Sequence, residues 1–143
     1  ADWGNSRVQK FTADGEFVLS LGSNDDFTLA LDHPSGVAVD SDGDIYVADW
    51  GNRRVQIYEH DGEIIASLYG DAADYSKAGL YNLERDPESI KIIKQNTEPM
   101  TYLGTFGKPT GISITKDNQI IIAETRCRLQ IYNKDSDYSE PPA

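Results

Sequence analysis

Cysteine is almost absent: Cys127 stands alone in 143 residues. It can form no intramolecular disulfide and has no companion thiolate for a metal site, so it reads as a small loop residue rather than a reactive thiol. Histidine is limited to His33 and His60. No apolar run approaches the roughly 20 residues that cross a bilayer, so no membrane span is expected. Positive charge is also scarce, with 13 Lys and Arg against 24 Asp and Glu and a formal net charge of −11. There is no polybasic block, and so negative a chain is repelled by phosphate, which makes nucleic acid and anionic membranes poor partners. A Gly-x-Ser-x-Gly elbow, a phosphate loop and a His-Glu-x-x-His pair are all missing. Ala1-Asp2-Trp3 offers neither an initiator Met nor a charged-then-apolar leader, so an excised or processed start without a signal peptide is expected, with the compartment left open.

What the chain does have is repetition. Ala48-Asp49-Trp50-Gly51-Asn52-Arg53-Arg54-Val55-Gln56-Ile57-Tyr58 stands 47 residues after Ala1-Asp2-Trp3-Gly4-Asn5-Ser6-Arg7-Val8-Gln9-Lys10-Phe11. A third, more divergent copy follows. His33-Pro34-Ser35-Gly36-Val37 returns 75 residues on as Lys108-Pro109-Thr110-Gly111-Ile112, and Arg54-Val55-Gln56-Ile57-Tyr58 returns as Arg128-Leu129-Gln130-Ile131-Tyr132. The longer spacing marks an insertion between the second and third copies.

Within the complete copy, Pro34 to Gly70, the apolar residues alternate with a period of two and are rich in β-branched types. That pattern predicts strand a around Val37 and Val39, strand b over Ile45 to Val47, strand c over Val55 to Tyr58 and strand d over Ile64 to Leu68. Gly- and Asn-bearing turns join them, because those residues accept the positive φ of tight hairpins. The complete copy is thus a four-stranded antiparallel meander. A tandem meander of about 45 residues is the pattern of a β-propeller blade. The residues resemble NHL repeats: Pro34 and Gly36, then Ile45 to Asp49, then Asn52 and Arg54 to Tyr58, then Asp61-Gly62. The resemblance implies an all-β fold of NHL-type blades forming an incomplete ring. Residues 1–33 would supply a partial first blade and link, 34–70 a complete blade, 71–107 a helical insertion, and 108–143 a partial third blade and tail. Either the chain is a fragment of a longer propeller, or copies assemble, two in the simplest case, into a homodimer that closes a ring.

For the insertion, Asp86-Pro87-Glu88 reads as a helix start and Ile90 and Ile93 as an apolar stripe, giving a short helical hairpin. Connectivity places it at the strand ends that carry the b–c loops, and this is the candidate functional face, with Trp3, Asn5, Trp50, Asn52, Arg53 and Arg126 as its binding residues. Arg53 is a stronger candidate for specific binding than either Trp, because the repeat does not demand it. Asp2, Arg7, Asp49 and Arg54 recur with the repeat, and a recurring pair answers a recurring geometric need, so they are assigned to structure rather than catalysis. Asp40-Ser41-Asp42-Gly43-Asp44 has the alternating oxygens of a calcium loop but lacks its Gly and Glu, so it reads as a hairpin turn.

By resemblance, NHL propellers most often bind proteins or peptides, and that is the function expected here, with no cofactor and no metal. Amidating lyases that resemble them hold zinc with three His, which this chain cannot supply. The alternative is a metal-dependent hydrolase or lyase of the gluconolactonase-like propeller type, with Asp40, Asp49 and Glu124 as the acids that would have to converge.

Overall fold

The computed structural model describes residues 1–23, 26–70, 81, 84–88, 105–126 and 128–134. Its strands are β1 (Val8–Phe11), β2 (Phe17–Leu21), β3 (Pro34–Val39), β4 (Ile45–Asp49), β5 (Arg54–Tyr58), β6 (Ile64–Leu68), β7 (Pro109–Ile114), β8 (Gln119–Glu124) and β9 (Arg128–Asn133). They form three antiparallel sheets, β1-β2, β3-β4-β5-β6 and β7-β8-β9, each joined in sequence order. The fold is all-β, built of propeller-type meanders. The helical hairpin expected over 71–107 falls almost wholly outside the described residues. Tyr81, Glu84, Arg85, Pro87 and Glu88 are helical and exposed, but they do not amount to a hairpin.

The two central strands of the middle sheet, β4 and β5, are buried along their whole length, which is why β4 reads as a nearly continuous apolar run. Side chains alternate across a strand, so Ile45 and Val47 point one way and Tyr46 and Ala48 the other. Ile45, Val47 and Tyr58 pack against Val8, Leu21 and Leu31 on the side of the first sheet. Tyr46, Val55 and Ile57 pack against Phe106, Ile120 and Ile122 on the side of the third. Fully burying one such side chain stabilises by roughly 1.5–3 kcal/mol, so these two seams hold the stack together. Leu129 and Ile131 stand at the repeat positions of Val55 and Ile57 and are more than half exposed, where their counterparts are covered by the next sheet.

Each seam is plugged by a residue from the link that enters the following sheet. The Leu31 N–H donates to Gly22 O at 3.0 Å, and the Phe106 N–H donates to Tyr69 O at 2.7 Å. Gly70 permits the second plug. Its φ is +99°, and a Cβ there would stand 2.3 Å from the Phe106 nitrogen. The second and third sheets are further tied at their first strands, where Ser35 Oγ donates to Pro109 O at 2.7 Å.

One core group lacks a partner among the described residues: the buried Tyr58 hydroxyl. Burial, with the Asp49 carboxylate nearby, pushes this phenol up to about 12. An unsatisfied buried hydroxyl costs about 1–3 kcal/mol. Tyr58→Phe is therefore expected to unfold at the same or higher denaturant concentration than the wild type, and a fall in the midpoint would show that the hydroxyl is satisfied.

Candidate functional site

In an up-down meander the β4–β5 turn and the links into β3 and β7 lie at one end of the strands. The residues there are organised by one device, repeated with variations. Asp49, the last residue of β4, is fully buried. Its carboxylate accepts from the Asp32 N–H at 2.8 Å, from Asn52 Nδ2 at 2.9 Å and from Arg54 Nε at 2.8 Å. Arg54 then donates from Nη1 to Thr28 O at 2.5 Å and from Nη2 to Ala30 O at 2.9 Å, while Asn52 also donates to Ala30 O. The acid, the amide and the guanidinium thereby fasten the turn to the link entering the sheet.

The first copy repeats the inner half of this arrangement, with Asp2 accepting from Asn5 and from Arg7 Nε at 2.9 Å. In the third copy Glu124 takes the place of Asp49. It accepts from the Gly107 N–H, Arg128 Nε and Gln130 Nε2. Burial alone would raise the Glu124 carboxyl, but hydrogen bonds from Gln130, Arg128 and Gly107 outweigh it and hold the group below the usual carboxylate range. Arg128 Nη2 and Arg126 Nη1 both donate to Thr105 O, at 2.7 and 2.6 Å, on the link carrying Phe106.

Above this framework lies a cluster of rings. Trp3 and Trp50 sit 4.9 Å apart between centroids, tilted by 58°. His33 meets Trp3 edge-on at 5.1 Å and Trp50 at 6.4 Å. Lys108 Nζ lies 3.3 Å from the centre of the Trp50 ring, a cation–π contact. Trp3 remains 42% exposed, so its ring is presented to solvent rather than sealed between sheets. Gly51 keeps the turn low: a Cβ there would collide with Asp32 Oδ2 at 2.0 Å. Asp32 Oδ1 in turn lies 2.5 Å from His33 Nδ1. Arg53 is exposed with φ at +55°, the left-handed position that Ser6 occupies at +51° in the first copy.

Of the residues singled out from sequence, Trp3 and Trp50 touch each other. Asn5 and Asn52 brace the acids, Arg53 lies outward at the turn, and Arg126 reaches the neighbouring link. His33, Lys108 and Asp32 complete the cluster and were not singled out for it. The signal was available, because His33 and Lys108 both immediately precede the proline that opens strand a in the aligned repeats. The acids of the catalytic alternative do not converge: Asp49 and Glu124 sit in separate fastenings, and Asp40 lies in the β3–β4 turn at the far end of the strands. Among the described residues no group of three or more His, Cys, Asp or Glu is placed to hold a metal ion.

Meanders packed face to face, each plugged by the link into the next, are the blades of a β-propeller. Residues 31–58, which span the Asp49–Arg54 fastening and most of the complete sheet, match the NHL repeat. No curated protein matches the chain. Among solved structures, a streptogramin B lyase superimposes with a TM-score of 0.50 at 15% identity over 94% of this chain. The virginiamycin B lyase of Staphylococcus aureus, in selenomethionine form, gives 0.49 at 12% identity over 96%. At such identity the streptogramin B lyase speaks for the fold alone. This chain spans 36% of that lyase's length.

Proposed function

We propose that the chain is a binding scaffold whose b–c turn face takes a protein or peptide partner. The observation that carries this reading is the Trp3–Trp50–His33 cluster. Its rings are partly exposed yet held by a buried hydrogen-bonded framework, so little conformational freedom is lost when a ligand packs on them. Tryptophan and arginine are the residues that most often dominate protein interfaces, and Trp3, Trp50 and Arg53 stand together here. The propeller supplies rigidity, and the turns supply chemistry.

The test is selection of a phage-displayed library of random dodecapeptides against the chain. Enriched peptides are expected to lose on the order of 30-fold in affinity against Trp3→Ala, the effect of a hot-spot residue at about 2 kcal/mol. Trp3 is the ring to change first, because its exposure leaves the fold least disturbed. Peptides that bind the variant as well as the wild type would remove this face as the site.

A further inference from the structure

Charge is divided unequally between the two ends of the strands. The β1–β2, β3–β4 and β5–β6 turns carry Asp14-Gly15-Glu16, Asp40-Ser41-Asp42-Gly43-Asp44 and Glu59-His60-Asp61-Gly62-Glu63, and the β7–β8 turn carries the balanced pair Lys116-Asp117. Two cations reach into them: Lys10 Nζ donates to His60 O at 3.0 Å, and Lys134 Nζ lies among Asp40, Asp42 and Asp44. Carboxylates dominate that end. At the b–c end, outside the 71–107 insertion, Asp2, Asp49 and Glu124 are each matched by Arg7, Arg54 and Arg128. The link adds Asp26 and Asp32, the second bonded to His33, while Arg53 shares the turn of Trp50 and Lys108 lies over its ring. A chain of net charge −11 therefore sets two cations, Arg53 and Lys108, beside its exposed aromatic rings.

We propose that the ligand of this face is an acidic peptide carrying an aromatic side chain. Its carboxylates would pair with Arg53 and Lys108, and its ring would pack on Trp3 and Trp50. This rests on the peptide-binding reading above and adds the chemistry of the partner. Lys108 is held in place over Trp50, so a carboxylate approaching it meets an ammonium group that is already positioned. A basic peptide would instead meet Arg53 and Lys108 as like charges. Scale favours a short ligand: a five-residue strand spans roughly 17 Å, beyond the screening length of about 8 Å at physiological salt. A short peptide beside Arg53 and Lys108 is thus screened from the acidic turns, whereas an extended polyanion such as RNA reaches toward them and is repelled.

The dodecapeptide selection separates these outcomes. Enriched sequences are expected to combine Asp or Glu with Trp, Tyr or Phe. A representative synthetic peptide is expected to bind about tenfold more weakly to Arg53→Glu and to Lys108→Glu, and no differently to Asp61→Lys at the far end. Arg53 is exposed, so its variant is expected to keep the wild-type melting temperature, and that is measured alongside. Enriched peptides that are neutral or basic yet still depend on Trp3 would overturn the acidic ligand while leaving the face intact. Peptides indifferent to Trp3→Ala would overturn the face itself. Tighter binding of a single-stranded RNA dodecamer than of any selected peptide would overturn the ligand class.

Discussion

Asp49→Ala is expected to cost roughly 3–5 kcal/mol, the penalty for stranding a buried charge, and on a chain of this size that is enough to unfold much of the population at 37 °C. The carboxylate is fully buried and the Arg54 side chain is 3% exposed, so water cannot replace the lost partner. The change strips Arg54 Nε, Asn52 Nδ2 and the Asp32 N–H of their acceptor together. Because Arg54 also fixes Thr28 and Ala30, the link into β3 is expected to loosen with it. Asp2→Ala makes the internal comparison. The Asp2–Arg7 pair is far more exposed than Asp49–Arg54, so the same deletion in the first copy should cost much less. Chemical denaturation of the two variants reads the difference, and equal losses would show that burial is not what gives the fastening its strength.

Lys134→Met is expected to cost a similar 3–5 kcal/mol and to change how stability depends on pH. Lys134 Nζ lies 2.6 Å from Asp40, 2.7 Å from Asp42 and 2.8 Å from Asp44, and so ties the end of β9 to the β3–β4 turn of the neighbouring sheet. Asp40 and Asp44 are mostly buried, whereas Asp42 is largely exposed and its share of the clamp is small. Burial alone would raise the Asp40 carboxyl, but hydrogen bonds from Lys134, the Asp44 and Asp42 N–H groups and the Tyr46 hydroxyl hold it below its ordinary value. Burial would lower the Lys134 ammonium, and the three aspartates raise it instead.

The signs follow from linkage. A depressed carboxyl contributes stability that is present above 3.8 and lost as pH falls through the folded value. A raised ammonium contributes stability that is present below 10.5 and lost only at still higher pH. The wild type should therefore hold its stability across neutral pH and lose it in acid. In Lys134→Met the aspartates repel one another without a counter-ion, so mild acidification from pH 7 toward 5 should stabilise the variant. Melting temperatures across that range check it, and parallel profiles for the two proteins would contradict the clamp.

The strands were legible because their cause is local. Alternation and β-branching set β3 to β6, and the recurrence of Asp-Trp-Gly-Asn before Arg-Val-Gln showed where sheets begin again. The turn at Asp40 to Asp44 reads correctly as a hairpin, yet nothing near it in sequence announces Lys134, which arrives from the neighbouring blade. The same holds for Lys108 over Trp50. Both contacts join adjacent blades, and their registry depends on how two sheets pack, a quantity that sequence periodicity does not carry. Asp49 and Arg54 were recognisable as a pair by their recurrence. Their carbonyl partners on the link, Thr28 and Ala30, were not, because that link follows no periodic pattern.

The central claim is that ligand is taken at the b–c turns and not at the opposite end of the blades. Amide hydrogen exchange, measured with and without a saturating selected peptide, tests it most directly. Protection is expected across residues 2–7, 49–54 and the link around His33, with the turns at 40–44 and 59–63 exchanging as in the free chain. Protection confined to 40–44 and 59–63 would contradict the account.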